Sequence, residues 1–253
     1  MIYRTTMKCV LAFAALAGLL WAQPKPKSQK EVDAIMAMQN APDPDSRIKA
    51  GQELITKFAD TEFKAVALQM IAMSYQQKND VENMILWSER LLEADKKNFS
   101  AMLMIAQGLA QRTREFDLDK EEKLGRAEKF AKEAQEVIKT AVKPGAHVTD
   151  EQWEAAKKDF TSQAFESLGM VATARKKYDE AIASYKTAIE ATPTPDYATM
   201  VRLGSVYNLA GKPDDAIAIL DKVLASPEAH PTIKQFAQNE KNRAAQAKGA
   251  AKP

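Results

Sequence analysis

The residues of this 253-residue chain that could do metal or acid–base chemistry are few, and its two histidines are far apart. His147 and His230 are 83 positions apart, each in a predicted loop near a proline, which favours surface roles over a shared metal or catalytic site. The sequence has no glycine-rich phosphate loop, no His-Glu-x-x-His and no Gly-x-Ser-x-Gly. We therefore expect no enzyme activity, no bound metal and no cofactor.

One acidic run resembles a calcium-binding loop in its spacing. Asp117, Asp119 and Glu121 alternate, and Glu128 stands at the twelfth position. A loop of that kind needs a sharp turn at its sixth position, which glycine normally provides. Glu122 occupies that position here, so the run instead predicts a helix start in which Asp119 and Glu122 form a capping box.

Two stretches near the C-terminus share one pattern at an offset of 35 residues. Gly169 lies twelve residues before Ala181, and Gly204 lies twelve residues before Ala216. Apolar residues follow at helical spacing in both: Tyr185 and Ala188 in the first, Leu220 and Val223 in the second. Self-similarity at this period predicts a stacked helical repeat.

The two glycines indicate close helix crossings. Glycine inside a helix costs ~0.5–1 kcal/mol relative to alanine, so its presence suggests an approach that leaves no room for a side chain. We expect Ala181 and Ala216 to be the small residues that face Gly169 and Gly204. One helix pair cannot bury both of its faces, so the units must stack.

This pattern resembles the tetratricopeptide repeat, which combines a Leu-Gly pair, a tyrosine, small residues and a closing proline at such spacing. The resemblance implies an all-α, right-handed superhelical solenoid of antiparallel helix pairs with a C-terminal capping helix. The residues that would hold the repeats together are Ala72, Tyr75, Gly169, Ala181, Tyr185, Ala188, Gly204, Tyr207 and Ala216.

The repeat pattern divides the chain into consecutive units. We expect a signal peptide at 1–22, a flexible Pro/Lys-rich segment at 23–30, a degenerate first pair at 31–64, repeats at 65–98, 99–161, 162–195 and 197–230, a capping helix at 231–247 and a disordered tail at 248–253. The repeat at 99–161 has extended helices. Its second helix is predicted over Lys120–Thr140, and the next helix begins at Thr149, so the two form a hairpin tipped by residues 143–147. Either Trp153 and Phe160 simply pack on the partner helix, or the hairpin is a functional projection.

Residues 1–22 predict export. Arg4 and Lys8 precede eleven apolar residues at 10–20, which is the pattern of a secretory signal and too short to span a bilayer. Cleavage is expected after Ala22, which predicts a periplasmic or secreted protein, although Leu20 leaves an uncleaved anchor as the alternative. Two of the 36 basic residues lie in this segment, which leaves 34 against 34 acidic residues and removes the main argument for a nucleic-acid partner.

In tetratricopeptide proteins the first helix of each pair lines a groove that holds peptides or partner helices. Carried over to this sequence, that implies the following groove residues: Gln69, Met73, Gln76, Leu103, Gln107, Ala110, Glu166, Met170, Thr173, Val201, Arg202, Ser205 and Asn208. Arg202 is the only cation among them, so the groove lacks the Lys-Asn-Lys-Arg arrangement of the subset that captures C-terminal carboxylates. A neutral surface of Gln and Met would suit an adaptable contact.

The expected function is that of a non-catalytic protein-binding scaffold or adaptor of the bacterial cell envelope, with other proteins or peptides as partners. Membrane association would come only through a partner or an uncleaved signal anchor. The alternative is an accessory or carrier protein that holds a small ligand or glycan for an envelope enzyme complex.

Overall fold

The computed structural model describes residues 24–145, 148–193 and 196–250. Eleven α-helices and no strand occupy this part of the chain. The helices are α1 (Gln29–Gln39), α2 (Pro44–Lys57), α3 (Lys64–Gln77), α4 (Val81–Ala94), α5 (Phe99–Arg112), α6 (Lys120–Thr140), α7 (Asp150–Ala174), α8 (Tyr178–Ala191), α9 (Tyr197–Leu209), α10 (Pro213–Ala225) and α11 (Pro231–Ala250).

Each helix packs against its neighbours in the sequence, so five pairs and one final helix follow one another in a stack. The first helix of one pair can also contact the first helix of the next pair, since α7 packs on α5. The final helix α11 packs on α9 in the same way. The core is accordingly distributed along the stack, from Met38 and Leu54 at one end to Leu220 and Ala237 at the other. The all-helical solenoid is confirmed, whereas its right hand stays a prediction.

Polar side chains fix where many of the helices begin. Ser28, Asp43, Asp80 and Asn98 each accept a hydrogen bond from the backbone N–H three residues ahead. Thr149 does the same at the start of α7, and the Gln152 side chain accepts from the Thr149 backbone, which confirms the predicted capping box. These bonds satisfy N–H groups that have no partner within the helix.

The turns inside the pairs share one backbone geometry. Asn79, Lys176 and Gly211 all have positive φ, at 57°, 60° and 69°. In each turn the next residue donates its N–H to a carbonyl five residues earlier, over 2.9 Å from Asp80 to Tyr75, from Lys177 to Ala172 and from Lys212 to Tyr207. This is a Schellman-type helix end, which reverses the chain within three residues.

The side chains nearest to the two glycines are larger than the predicted alanines. A Cβ added at Gly169 would lie 2.7 Å from the Tyr185 ring, and one added at Gly204 would lie 2.7 Å from Leu220. Ala181 and Ala216 are fully buried but are not among the nearest contacts of the glycines. The reason is that long side chains on a helix point back toward its N-terminus, so the residue one turn further along covers the crossing.

The extended hairpin packs along its length. α6 has 21 residues and α7 has 25. Phe99 contacts Phe160 edge-on at a centroid distance of 4.9 Å, and the Trp153 indole N–H donates to the Ala141 carbonyl over 3.2 Å. Trp153 and Phe160 share one cluster with Phe130 and Val137 of α6 and with Phe99 of α5, while a functional role of the hairpin stays a prediction. Two of the tip residues, 146 and 147, lie outside the described residues, as does the predicted signal at 1–22.

Ion pairs join each pair of helices to the next. At every junction an acidic residue near the start of a second helix meets a basic residue near the end of the following first helix. The pairs are Asp45–Lys78, Glu82–Arg112, Glu121–Arg175, Asp179–Lys212 and Asp214–Lys248. The acidic residues lie in the first turns of their helices, where the dipole favours negative charge, whereas Lys212 is the N-cap residue of α10.

At both ends of the stack the ordered structure extends beyond the boundaries predicted from the sequence. Helix α11 continues to Ala250, beyond the predicted boundary at 247, and it buries Ala237 and Ala244 while Phe236 stays exposed. At the other end, the Lys25 and Lys27 backbones donate to Glu62 and Glu31, so the segment expected to be flexible has fixed contacts within the first pair.

Candidate functional site

The acidic run 117–128 is occupied by cations of the chain itself. Lys123 lies 3.2 Å from Asp117 and 2.8 Å from Asp119, and Arg175 contacts Glu121 and Glu128. The Arg114 N–H, followed by Lys123, holds the pKa of Asp117 below its ordinary value, and Lys132, followed by Arg175, does the same for Glu128. The predicted capping role of Asp119 is wrong, because its side chain makes no cap hydrogen bond at the start of α6.

The histidines give no site within the described chain. His230 Nδ1 accepts a hydrogen bond from the Thr232 backbone over 3.2 Å, which serves the start of α11. His147 lies outside the described residues. Within residues 24–145, 148–193 and 196–250, no three His, Cys, Asp or Glu side chains gather as a metal site, and no helix is long and apolar enough to cross a bilayer.

Four groove residues lie inside the stack instead of on its surface. Gln69 is 2%, Leu103 4% and Glu166 8% exposed, and the neighbouring Ala110 is buried as well. Leu103 belongs to the aromatic cluster of the hairpin, where α7 packs on α5. The spacing could not reveal this, because it depends on the extra length of α7.

The groove residues of the later pairs are engaged within the protein. Glu166 Oε1 lies 2.8 Å from Arg202, and burial raises the pKa of Glu166 while Arg202 opposes that rise. Thr173 donates to the Gly169 carbonyl over 2.7 Å. The Asn208 amide donates to the backbone and side chain of Glu240 on α11, so the last helix covers this end of the face. Met170, Val201 and Ser205 are half-buried.

The groove residues on α3 and α5 are different, because two of their amides are unused. The side chains of Gln76 and Gln107 form no hydrogen bond with any described residue. Gln76 is exposed, while Met73 and Gln107 are half-buried. Two amides with free donors and acceptors thus lie on two first helices of adjacent pairs, beside one methionine.

The residues expected to hold the repeats together are placed as predicted, with one exception. Tyr75 is half-buried, whereas the other eight are buried. Burial raises the pKa of Tyr185 to about 12, which agrees with a ring packed inside the stack. Tyr207 is also buried.

Comparisons with known proteins agree with this geometry. Models of the tetratricopeptide repeat match residues 65–98 and 172–239. TTC0263, a thermophilic tetratricopeptide protein from Thermus thermophilus, aligns over 84% of this chain and 95% of its own at 15% identity, with a TM-score of 0.56.

Two further solved structures are less similar. A tetratricopeptide repeat protein from Parabacteroides merdae covers 89% of this chain and 94% of its own at 17% identity, with a TM-score of 0.44. The assembly chaperone of RpL4 (Acl4) covers 88% and 98% at 11% identity, with a TM-score of 0.42. No curated protein sequence matched the chain. The family-model matches and the TTC0263 fold lead to one conclusion: this chain contains tetratricopeptide repeats and folds as a tetratricopeptide solenoid.

Proposed function

We propose that this protein is a non-catalytic scaffold or adaptor that binds an extended segment of a partner protein along α3 and α5. The observation that carries the proposal is the pair of unused amides at Gln76 and Gln107. Tetratricopeptide repeats generally mediate binding to other proteins, which supports the same class of function.

The chemistry of these side chains suits a peptide backbone. A glutamine amide carries both a donor and an acceptor, so it can bind the N–H and C=O groups that every residue of an extended segment presents. Met73 can adapt its unbranched side chain to differently shaped partner residues. The surface would therefore recognise the extended backbone of the partner segment more than a pattern of charged side chains.

The neutrality of this surface has a measurable consequence. Salt screens interactions between exposed charges, and α3 and α5 contribute none among the groove residues. We expect the affinity for a purified partner to change less than about threefold between ~0.05 and ~0.5 M NaCl. A partner held by a charge clamp would dissociate over that range.

We also propose that the protein works in the bacterial cell envelope. Support comes from Arg4 and Lys8 followed by the apolar residues 10–20. Recovery of the protein from periplasm with an N-terminus at Gln23 is the expected result. A membrane-bound protein that keeps residues 1–22 would favour the uncleaved anchor instead.

The test of the binding surface compares matched charge changes. Partners are captured from envelope extract with the wild-type protein, identified, and purified for titration. Met73→Glu and Gln107→Glu should each weaken binding, because they place a carboxylate among neutral contacts. Lys186→Glu, on an exposed position of α8, should bind like the wild type. Equal affinities for all variants would reject the surface on α3 and α5.

The carrier alternative predicts a different result. A small ligand or glycan would be recovered from the native protein by mass spectrometry after denaturation, and no protein partner would be retained.

A further inference from the structure

The loop between α5 and α6 departs from the pattern of the other pairs. It has seven residues, Thr113–Asp119, whereas the turns at 78–80, 175–177 and 210–212 have three. The shorter turn is sufficient to join two antiparallel helices in this fold. The four additional residues therefore need another explanation.

This loop displays two large apolar side chains in water. Phe116 is 93% exposed and Leu118 is 107% exposed, which makes them the most exposed large apolar side chains of the described chain. Isolated apolar residues on a surface are ordinary. Two almost fully exposed residues in one inserted loop form a small patch, which we call the 116/118 patch.

The loop is fixed in position by its polar residues. The Arg114 N–H donates to Asp117 Oδ2 over 3.1 Å, and the Lys120 N–H donates to the Asp117 carbonyl over 3.1 Å. Glu115 lies 3.2 Å from Lys120 and 2.7 Å from Lys176 at the next turn. A loop held in this way loses little conformational entropy on binding.

The charges beside the 116/118 patch complement one another across two copies of the chain. Within the described residues, neither the Arg114 guanidinium nor the Glu122 carboxylate forms an ion pair. One precedes the two apolar residues in the sequence and the other follows them. In a twofold contact a patch meets itself in reverse order, so Arg114 of one copy would face Glu122 of the other.

We propose that the 116/118 patch is a self-association surface, through which two copies form a weak, twofold-symmetric dimer. Phe116 of one copy packs against Leu118 of the other, with the two Arg114–Glu122 pairs at the rim. The area involved is far below the ~800 Å² per partner of a stable interface, so the dimer is transient and forms at high concentration.

A lipid surface is the less favoured occupant. Residues 114–123 carry three basic and five acidic side chains, and Arg175 and Lys176 bring the local balance to zero. Anionic lipids would therefore gain no net attraction from this region, whereas a polybasic patch would provide it.

Sedimentation velocity of the purified full chain over about 10–500 µM tests the proposal. The wild type should show a rising weight-average sedimentation coefficient, and Phe116→Ser with Leu118→Ser should remain monomeric at every concentration. Arg114→Glu should raise the dimer Kd by at least about threefold, because it places two carboxylates opposite each other. Combining Arg114→Glu with Glu122→Arg should restore the wild-type Kd.

The controls separate this surface from others. Leu86→Ser removes another exposed apolar side chain and should leave the Kd unchanged. A monomeric wild type, or a dimer that survives loss of Phe116 and Leu118, would overturn the proposal. So would failure of the double charge reversal to restore association. Flotation with vesicles of phosphatidylcholine and phosphatidylglycerol that requires Phe116 would assign the patch to a membrane instead.

Discussion

The Tyr185 ring lies directly against Gly169, so closely that a Cβ at position 169 would come within 2.7 Å of it. Leu220 bears the same relation to Gly204 in the next pair. Each glycine on a first helix is thus covered by a large side chain from the second helix of its own pair. In each of these two pairs, the closest packing therefore places a large side chain of the second helix against a glycine of the first helix.

Gly169→Ala should destabilise the protein. The new methyl group would overlap the buried Tyr185 ring, and overpacking of this kind costs ~1–3 kcal/mol, more than the ~1 kcal/mol that alanine gains in a helix. Thermal unfolding followed by circular dichroism should show a lower Tm.

The matched control for that change is Gly125→Ala in α6. A Cβ at Gly125 has no atom within 4 Å, so only the helix preference acts and Tm should rise. Equal increases in Tm for both variants would show that Tyr185 moves aside without cost.

Ala181→Leu should also lower stability, for a related reason. Ala181 is fully buried in the core that joins α7 to α11, and added methylene groups there cost ~1–3 kcal/mol. Ala247→Leu near the exposed end of α11 should leave Tm unchanged. An unchanged Tm for Ala181→Leu would contradict the repeat register.

Lys176→Gly should stabilise the protein by about 0.5–1 kcal/mol. Lys176 has a φ of 60°, a conformation that costs a residue with a Cβ roughly 1–2 kcal/mol, whereas glycine at Gly211 pays no such cost. The same change removes the ion pair with Glu115, so Lys176→Ala is the control that loses the pair and keeps the strain. A denaturant midpoint for Lys176→Gly no higher than for Lys176→Ala would refute the argument.

Arg202→Met should destabilise the protein in a pH-dependent way. Burial already raises the pKa of Glu166, so its contribution to stability is complete below the ordinary value near 4.5 and is lost as pH rises through the raised value. Removing Arg202 raises that pKa further and leaves a buried carboxylate unpaired. We expect a loss of about 1–3 kcal/mol at pH 7, less than for a fully buried pair, because the Arg202 side chain is 35% exposed.

Urea unfolding between pH 4 and pH 8 checks this expectation. The deficit of Arg202→Met should shrink as Glu166 becomes protonated. With Glu166→Gln in the background, the effect of Arg202→Met should no longer depend on pH. A constant deficit in the wild-type background would mean that Arg202 acts through packing alone.

Several features of the fold could be predicted from local sequence. The helix over Lys120–Thr140 and the Thr149 cap are set by residues within a few positions of each other, so their spacing was sufficient. The αL turn at Gly211 is equally local. A Cβ added at Gly51 would lie 2.8 Å from Ile71, and one added at Gly108 would lie 2.8 Å from Met84. These two close helix crossings were not predicted, because their units match the repeat pattern only loosely.

The candidate site was predictable only in part. The positions of Gln76, Met73 and Gln107 on first helices followed from the period, and the unused amides of Gln76 and Gln107 agree with an available surface. The burial of Leu103 and Glu166 did not follow from it, because it depends on which helices meet across the stack. Asn208 is similar, since its partner Glu240 lies 32 residues away on α11.

The sequence by itself determined the helices, their pairing and their repeat, because the i, i+4 pattern and the capping residues act over short distances. Only the tertiary structure decided which side chain covers each glycine, which groove residues remain open and which charges pair across each junction. Those outcomes depend on the direction of side chains and on which helices meet across the stack, because the contacts join residues between 16 positions apart, as for Gly169 and Tyr185, and 54 positions apart, as for Glu121 and Arg175.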